Sequence, residues 1–105
     1  MSYKWPEKDP DETADFSVDW SRFLGDDSIV STTFFIDDAN GTKTQVSTAQ
    51  VVNGLQFLAS TVAGNVATAR FGQGINNLRY NVSCRINTTQ GLTFERSVTL
   101  PIRNR

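Results

Sequence analysis

Residues 78–102 read LRYNVSCRINTTQGLTFERSVTLPI, and no other stretch of the chain narrows the fold so far. Leu78, Tyr80, Val82, Cys84 and Ile86 alternate with Arg79, Asn81, Ser83, Arg85 and Asn87. That is the two-residue period of a strand with one dry face and one wet face. Residues 87–91 then form a polar turn, where Asn and Gly reach left-handed backbone angles cheaply, and a second β-rich run starts at Leu92. Together the runs predict a long antiparallel hairpin at the centre of a sheet.

The second run contains one fault. Leu92, Phe94, Val98, Leu100 and Ile102 keep the apolar register, and Arg96 falls among them. Two arrangements accommodate a charge there: a bulge that shifts the register, or an inward guanidinium paired with a carboxylate. Asp19 and Glu12, in the acidic first third, are the candidate partners.

The preceding chain is also β-patterned. Phe16, Val18 and Trp20 alternate with polar residues, giving a first strand in which Trp20 is a core candidate. Residues 29–36 are rich in β-branched and aromatic residues and predict a second strand, closed by the turn Asp37-Asp38-Ala39-Asn40-Gly41. Shorter β runs follow at residues 45–46, 55–58 and 66–71. Gln50, Asn53 and Gly54 break any helical stripe between them, leaving room for a short helix over residues 48–52 at most. About seven short strands at intervals near ten residues predict an all-β, antiparallel, immunoglobulin-like β-sandwich. Residues 1–12 hold two of the three prolines and no apolar period, so they read as an extended N-terminal arm on a sandwich of residues 13–105. Tyr3 and Trp5 on that arm either tuck into a groove of their own domain or reach a neighbouring subunit.

At 105 residues the chain is one domain. A formal charge of −1 gives no global pull toward nucleic acid or anionic lipid. The charges are nonetheless unevenly placed. Residues 7–27 hold eight acidic residues against Lys8 and Arg22, whereas from Arg70 onward six arginines face only Glu95. Such an asymmetry suits head-to-tail contact between identical copies closing into a ring. Residues 44–69 carry no charge, but Ser, Thr, Asn, Gln and Gly interrupt them throughout, against a membrane span. The start of the chain has neither an apolar stretch nor a basic lead, so synthesis for the cytoplasm is expected.

Taken in order, Lys8-Asp9-Pro10-Asp11-Glu12, Asp19-Trp20-Ser21, Leu24, Gly25-Asp26, Tyr80-x-Val82, Arg85-Ile86, residues 88–91, Glu95-Arg96-Ser97 and Arg103 span most of the chain. In these motifs the chain resembles the bacteriophage fibre-tail adaptor proteins, a family of short virion proteins. It departs from them at residues 67–74, ATARFGQG, where the family usually has an aromatic strand ending in Gly-Gly. The resemblance implies a compact immunoglobulin-like virion protein of the phage neck or tail, without catalytic activity or cofactor, joining tail fibres or other components to the tail or portal. Its implied partners are other tail, portal or fibre proteins, and its implied location is the virion, after assembly in the host cytoplasm. Head completion, tail-tube closure or decoration is the alternative virion role.

Other chemistries find little to work with. Cys84 is the only cysteine and histidine is absent, which excludes an internal disulfide and His- or Cys-built zinc sites. In the apolar register with no histidine to activate it, Cys84 reads as a small buried hydrophobe. Asp9, Asp11, Glu12 and Asp15 contain the ligand type for calcium but not the spacing, and read as an acidic edge turned to solvent or a partner. Nothing places two carboxylates across a cleft for glycoside hydrolysis. Arg79 and Arg85 share a wet face without interleaved aromatics, so a docking face for protein is favoured over nucleic acid. Tyr3, Trp5, Asp9, Asp11, Glu12, Arg79 and Arg85 are thus the candidate partner-interface residues, and Trp20 and Arg96 the candidate structural ones. A carbohydrate-binding sandwich is the competing reading, and it needs Trp5 or Trp20 exposed as a sugar platform.

Overall fold

The computed structural model describes residues 3–104, which form two facing β-sheets around one core. Met1, Ser2 and Arg105, the outermost residues of the arm and sandwich as delimited from the sequence, lie outside the described residues. The elements in order are β1 (Tyr3–Lys4), β2 (Ala14–Asp19), a single helical turn α1 (Ser21–Leu24), β3 (Ile29–Asp37), β4 (Lys43–Gln45), β5 (Gln50–Val52), β6 (Leu55–Ala63), β7 (Val66–Gln73), β8 (Arg79–Thr88) and β9 (Thr93–Pro101). The larger sheet runs β1-β9-β8-β3-β4 and the smaller β2-β7-β6-β5. Neighbouring strands are antiparallel, except that β1 runs parallel to β9. Two of these nine strands, β1 and β5, were not legible as strands: at two and three residues they are too short to display a period. Residues 48–52 form a turn into β5, not a helix.

The hairpin read from residues 78–102 is the spine of the larger sheet. β8 and β9 pair in unbroken register from Arg79↔Pro101 to Asn87↔Thr93. Tyr80, Val82, Cys84, Ile86, Val98 and Leu100 are all buried, as their alternation demands. Across the core an aromatic chain links one sheet to the other: Trp5 to Phe16 at 5.3 Å between ring centroids, Phe16 to Phe71 at 6.2 Å, Phe71 to Phe57 and Phe57 to Phe34 at 5.9 Å each. Fully burying one such ring is worth about 2–3 kcal/mol, so this row supplies much of the drive to join the sheets.

Of the two fates open to Trp5, the structure shows the first, burial in its own core, where its Nε1 donates to the Ser17 carbonyl at 2.9 Å. Two further donors cross to the smaller sheet on the same side. Arg96 Nη1 reaches the Asp19 carbonyl at 3.4 Å, and Lys8 Nζ reaches the Gln73 carbonyl at 2.6 Å. Since β2 is an edge strand, Trp5 and Arg96 occupy carbonyls that no neighbouring strand takes.

Candidate functional site

Arg96 shows how the open end of the sandwich is built. On β9 the side chains of Phe94, Arg96, Val98 and Leu100 share one face. Val98 and Leu100 lie under the smaller sheet and are buried, whereas Phe94 and Arg96 reach past the end of β2 at Asp19 and are half-buried. The guanidinium sits 4.3 Å from the Tyr3 ring centroid and 4.7 Å from that of Trp20. Neither arrangement foreseen for Arg96 is present. The β8–β9 ladder has no bulge, and among the described residues no carboxylate lies within ion-pair distance of Arg96. A planar, weakly hydrated guanidinium is satisfied here by two aromatic faces and a backbone carbonyl. The Asp19 carboxylate instead caps the next turn, accepting from Ser21 N at 2.9 Å and Ser21 Oγ at 2.6 Å. Those bonds, with smaller contributions from Arg22 and Arg96, hold Asp19 below the usual carboxylate range.

Around this stack lies an aromatic shelf. Phe23 is 53% exposed and meets Phe94 edge-on at 4.6 Å and Trp20 at 5.8 Å. Tyr3, Trp20, Phe23, Glu95, Arg96 and Thr99 line a hollow of about 410 Å³ beside it. The hollow is open and its lining mixes rings with polar groups, as protein interfaces do.

The acidic cluster at residues 8–12 is a second locality, organised around a residue that the sequence reading passed over. Lys8 is 1% exposed, and its ammonium donates to the Asp9 carbonyl at 2.8 Å as well as to Gln73. Burial pushes its pKa down, opposed by the charges of Glu12, Asp9 and Asp11. The carboxylates also fold the local turn: Asp9 Oδ1 accepts from Asp11 N and Glu12 Oε1 from Asp9 N, both at 2.8 Å. Among the described residues no group of three or more acidic, Cys or His side chains is arranged to hold a metal ion.

Arg79 and Arg85 do lie on the wet face of β8, with different surroundings. Arg79 is exposed near Lys4, Glu7 and Arg103. Arg85 is spent on Glu95, 2.9 Å away, and covers the Phe35 ring at 4.6 Å; Lys43 pairs with the same carboxylate. These bonds keep Glu95 below its usual range, Lys43 contributing most. The predicted interface residues therefore do not converge on one patch: Tyr3 belongs to the shelf, Asp9, Asp11 and Glu12 to the Lys8 corner, Arg79 and Arg85 to the sheet face, and Trp5 to the core. Trp20 is 1% exposed, so both tryptophans are withdrawn from the surface and the sugar-platform reading loses its best residues.

The family model described as Podophage GP4 fiber-tail adaptor protein gp77 matches residues 8–101. The chain belongs to this family. The match opens at Lys8 and closes at Pro101, and the fold joins those two ends directly, Lys8 N donating to the Pro101 carbonyl at 3.0 Å. An adaptor of this family is a structural virion component, and the all-β sandwich agrees with that role. No curated protein matches the chain.

Two residues of consequence escaped the sequence reading besides Lys8. Phe23 sits on a four-residue helix with no period to announce it. Asp27, in the loop between α1 and β3, is buried against the turn between β8 and β9, and its Oδ1 accepts from Thr89 Oγ1 at 2.6 Å, Ser28 N at 2.8 Å and Gln90 N at 3.2 Å. Burial raises its pKa, and the bonds from Thr88, Thr89, Ser28 and Gln90 outweigh it, leaving the group below its ordinary value. The Gly25-Asp26-Asp27 turn signal located this loop but not the inward carboxylate.

Proposed function

We propose that the protein joins tail fibres, or other neck and tail components, to the tail or portal of a podophage particle, and that it does so by binding without catalysis. The family match over residues 8–101 carries this reading. The surface left after folding supports it: the shelf of Tyr3, Phe23 and Phe94 around Arg96 exposes the residue types that dominate protein interfaces. Several copies arranged as a ring, assembled in the host cytoplasm, belong to the same reading. Charge alone supports a ring less than it did in the sequence, because Arg103 N bonds the Lys8 carbonyl at 2.9 Å and brings the acidic and basic ends of the chain together. The exposed shelf is the better support, since a single copy leaves its rings wet.

Particles produced with this gene disrupted are expected to have filled heads but no attached fibres, seen by electron microscopy, and to regain them when the purified protein is added. A protein absent from purified wild-type particles overturns the proposal. Phe23→Asp, with circular dichroism unchanged, is expected to lower restoration at least about tenfold, the scale of one interface anchor.

A further inference from the structure

The strand edges on the side away from Trp5 have no such cover. β5 pairs with only residues 55–57 of β6. Beyond them, residues 59–63 are bonded to β7 on one side, from Ala59↔Arg70 to Ala63↔Val66, and have no strand on the other. All five are exposed. They read Ala59-Ser60-Thr61-Val62-Ala63, without charge or proline, inside the charge-free stretch of residues 44–69. The facing edge of β3 is similar: β4 pairs with residues 35–37 alone, and Val30, 64% exposed, stands on the uncovered part.

Apart from the three-residue β5, the other edges are guarded. β2 is occupied by Trp5 and Arg96, β9 is covered by β1 at Val98 and Thr99 and carries Glu95 and Arg96 over the rest, and β4 carries Lys43. Soluble proteins blunt their edges with charge, proline, cover or a bulge. On β6 the single such device is the register shift between Phe57 and Ala59, and the ladder beyond it is regular.

We propose that residues 59–63 of β6 are a strand-addition site, which receives an extended, uncharged segment of a partner virion protein as the next strand of the smaller sheet. This deepens the adaptor reading and rests on it. An open row of backbone N–H and C=O groups specifies an extended chain as its occupant. The lining specifies the charge of that chain: Ser60, Thr61 and Val62 are uncharged and the nearby Asp15 and Arg70 are paired with each other at 2.8 Å, so a charged segment loses hydration without a free counter-ion, and a neutral, β-branched one fits. β5 and the bulge close one end of the lane, which fixes where the added strand stops.

Hydrogen exchange read by mass spectrometry, on the isolated protein and on purified particles, tests the site. In the peptide covering residues 59–63, the amides that point away from β7 are expected to exchange freely in the isolated protein at all concentrations and at least about tenfold more slowly in the particle, while those bonded to β7 stay protected in both. Thr61→Lys, which sets a charge on the edge, is expected to fold normally by circular dichroism and to enter particles at least about tenfold less than wild type, while Thr61→Val enters normally. Free exchange of those outward amides in particles that contain the protein overturns this inference and leaves the adaptor reading standing. Absence of the protein from the particle overturns both. Protection that grows with concentration of the isolated protein makes a second copy the occupant and overturns the proposal, as does normal incorporation of T61K.

Discussion

Replacing Arg96 by leucine restores the apolar alternation of β9, and a pattern argument expects that change to stabilise the protein. The structure predicts the reverse. The guanidinium stacks on two rings, Tyr3 at 4.3 Å and Trp20 at 4.7 Å, and donates to the Asp19 carbonyl at 3.4 Å. Partly solvated cation–π contacts are worth about 0.5–1 kcal/mol each. A long hydrogen bond to an edge carbonyl adds about 0.5 kcal/mol. Leucine forfeits these terms and keeps the apolar contacts of the arginine stem, gaining back about 0.5–1 kcal/mol from easier desolvation at a half-buried position. The balance is a loss of about 1 kcal/mol for Arg96→Leu and about 2 kcal/mol for Arg96→Ala, which loses the stem as well. In a domain of this size the leucine variant should melt about 4–8 °C lower. Urea unfolding followed by tryptophan fluorescence measures both, and Tyr3→Leu in a double-mutant cycle should show a coupling of about 0.5–1 kcal/mol with Arg96. An Arg96→Leu variant as stable as wild type, or more so, refutes the assignment of Arg96 to the stack.

Lys8→Met keeps the volume and removes both carbonyl bonds, costing about 2 kcal/mol, since the loss exceeds what is regained by not burying a charge. Burial lowers the Lys8 pKa beneath 10.5, so between the lowered value and 10.5 the unfolded chain holds a proton that the folded chain has released. Stability should therefore rise with pH in that window, and Lys8→Met should abolish the rise in pH-dependent urea midpoints. Tyr80 has the opposite sign: burial raises its phenol above 10.0, and the stability from its bond to the Asn53 carbonyl at 2.7 Å should be complete below that pH and lost as pH climbs through the raised value, a loss absent in Tyr80→Phe. Gly74→Ala should cost about 2 kcal/mol by thermal melting, because Gly74 has φ +107 and a Cβ there meets Ile102 Cδ1 at 2.9 Å. Rebinding of the purified protein to particles that lack it should change less than about threefold between low and physiological salt, because the β6 edge is uncharged and the charges beside the shelf, Arg96 and Glu95, are already engaged within the fold.

The fold was legible wherever one sheet face is dry over several residues. β8 and β9 alternate for most of their length, and β2 and β3 carry the aromatic and β-branched residues that pack under them. β1 and β5 were not legible because two or three residues have no period, and their positions come from partners remote in sequence, β1 from β9 and β5 from β6. Arg96 was visible as an anomaly and its solution was not, because sequence supplies candidate carboxylates by proximity along the chain but gives no sign that two rings, from residues 3 and 20, converge on residue 96. Lys8 was hidden by its own setting: a lysine among acids reads as surface charge, and only the fold brings the Gln73 carbonyl to it. The β6 edge lay in a stretch noted only for lacking charge, and its exposure depends on where β5 stops.

The uneven charge of the chain is largely consumed within the fold. Arg70 pairs with Asp15 at 2.8 Å, Arg85 and Lys43 share Glu95, and Asp27 is enclosed by the turn it caps. The carboxylates of Asp9 and Glu12 bond the local backbone and, with Asp11, lie in the field of the buried Lys8. A charge engaged this way must lose its existing partner before it can serve a new one, so its net worth at an interface is small. The aromatic shelf and the open edge of β6 carry no such prior commitment. Both lie toward the same end of the sandwich, since Asn65, in the turn that follows β6, accepts from Trp20 N at 2.9 Å. They also lie on opposite sides of it, the shelf beside β9 and the edge beside β3. An adaptor must hold two neighbours at once, and two uncommitted surfaces on opposite flanks of a rigid body meet that requirement where one patch of mixed charge does not.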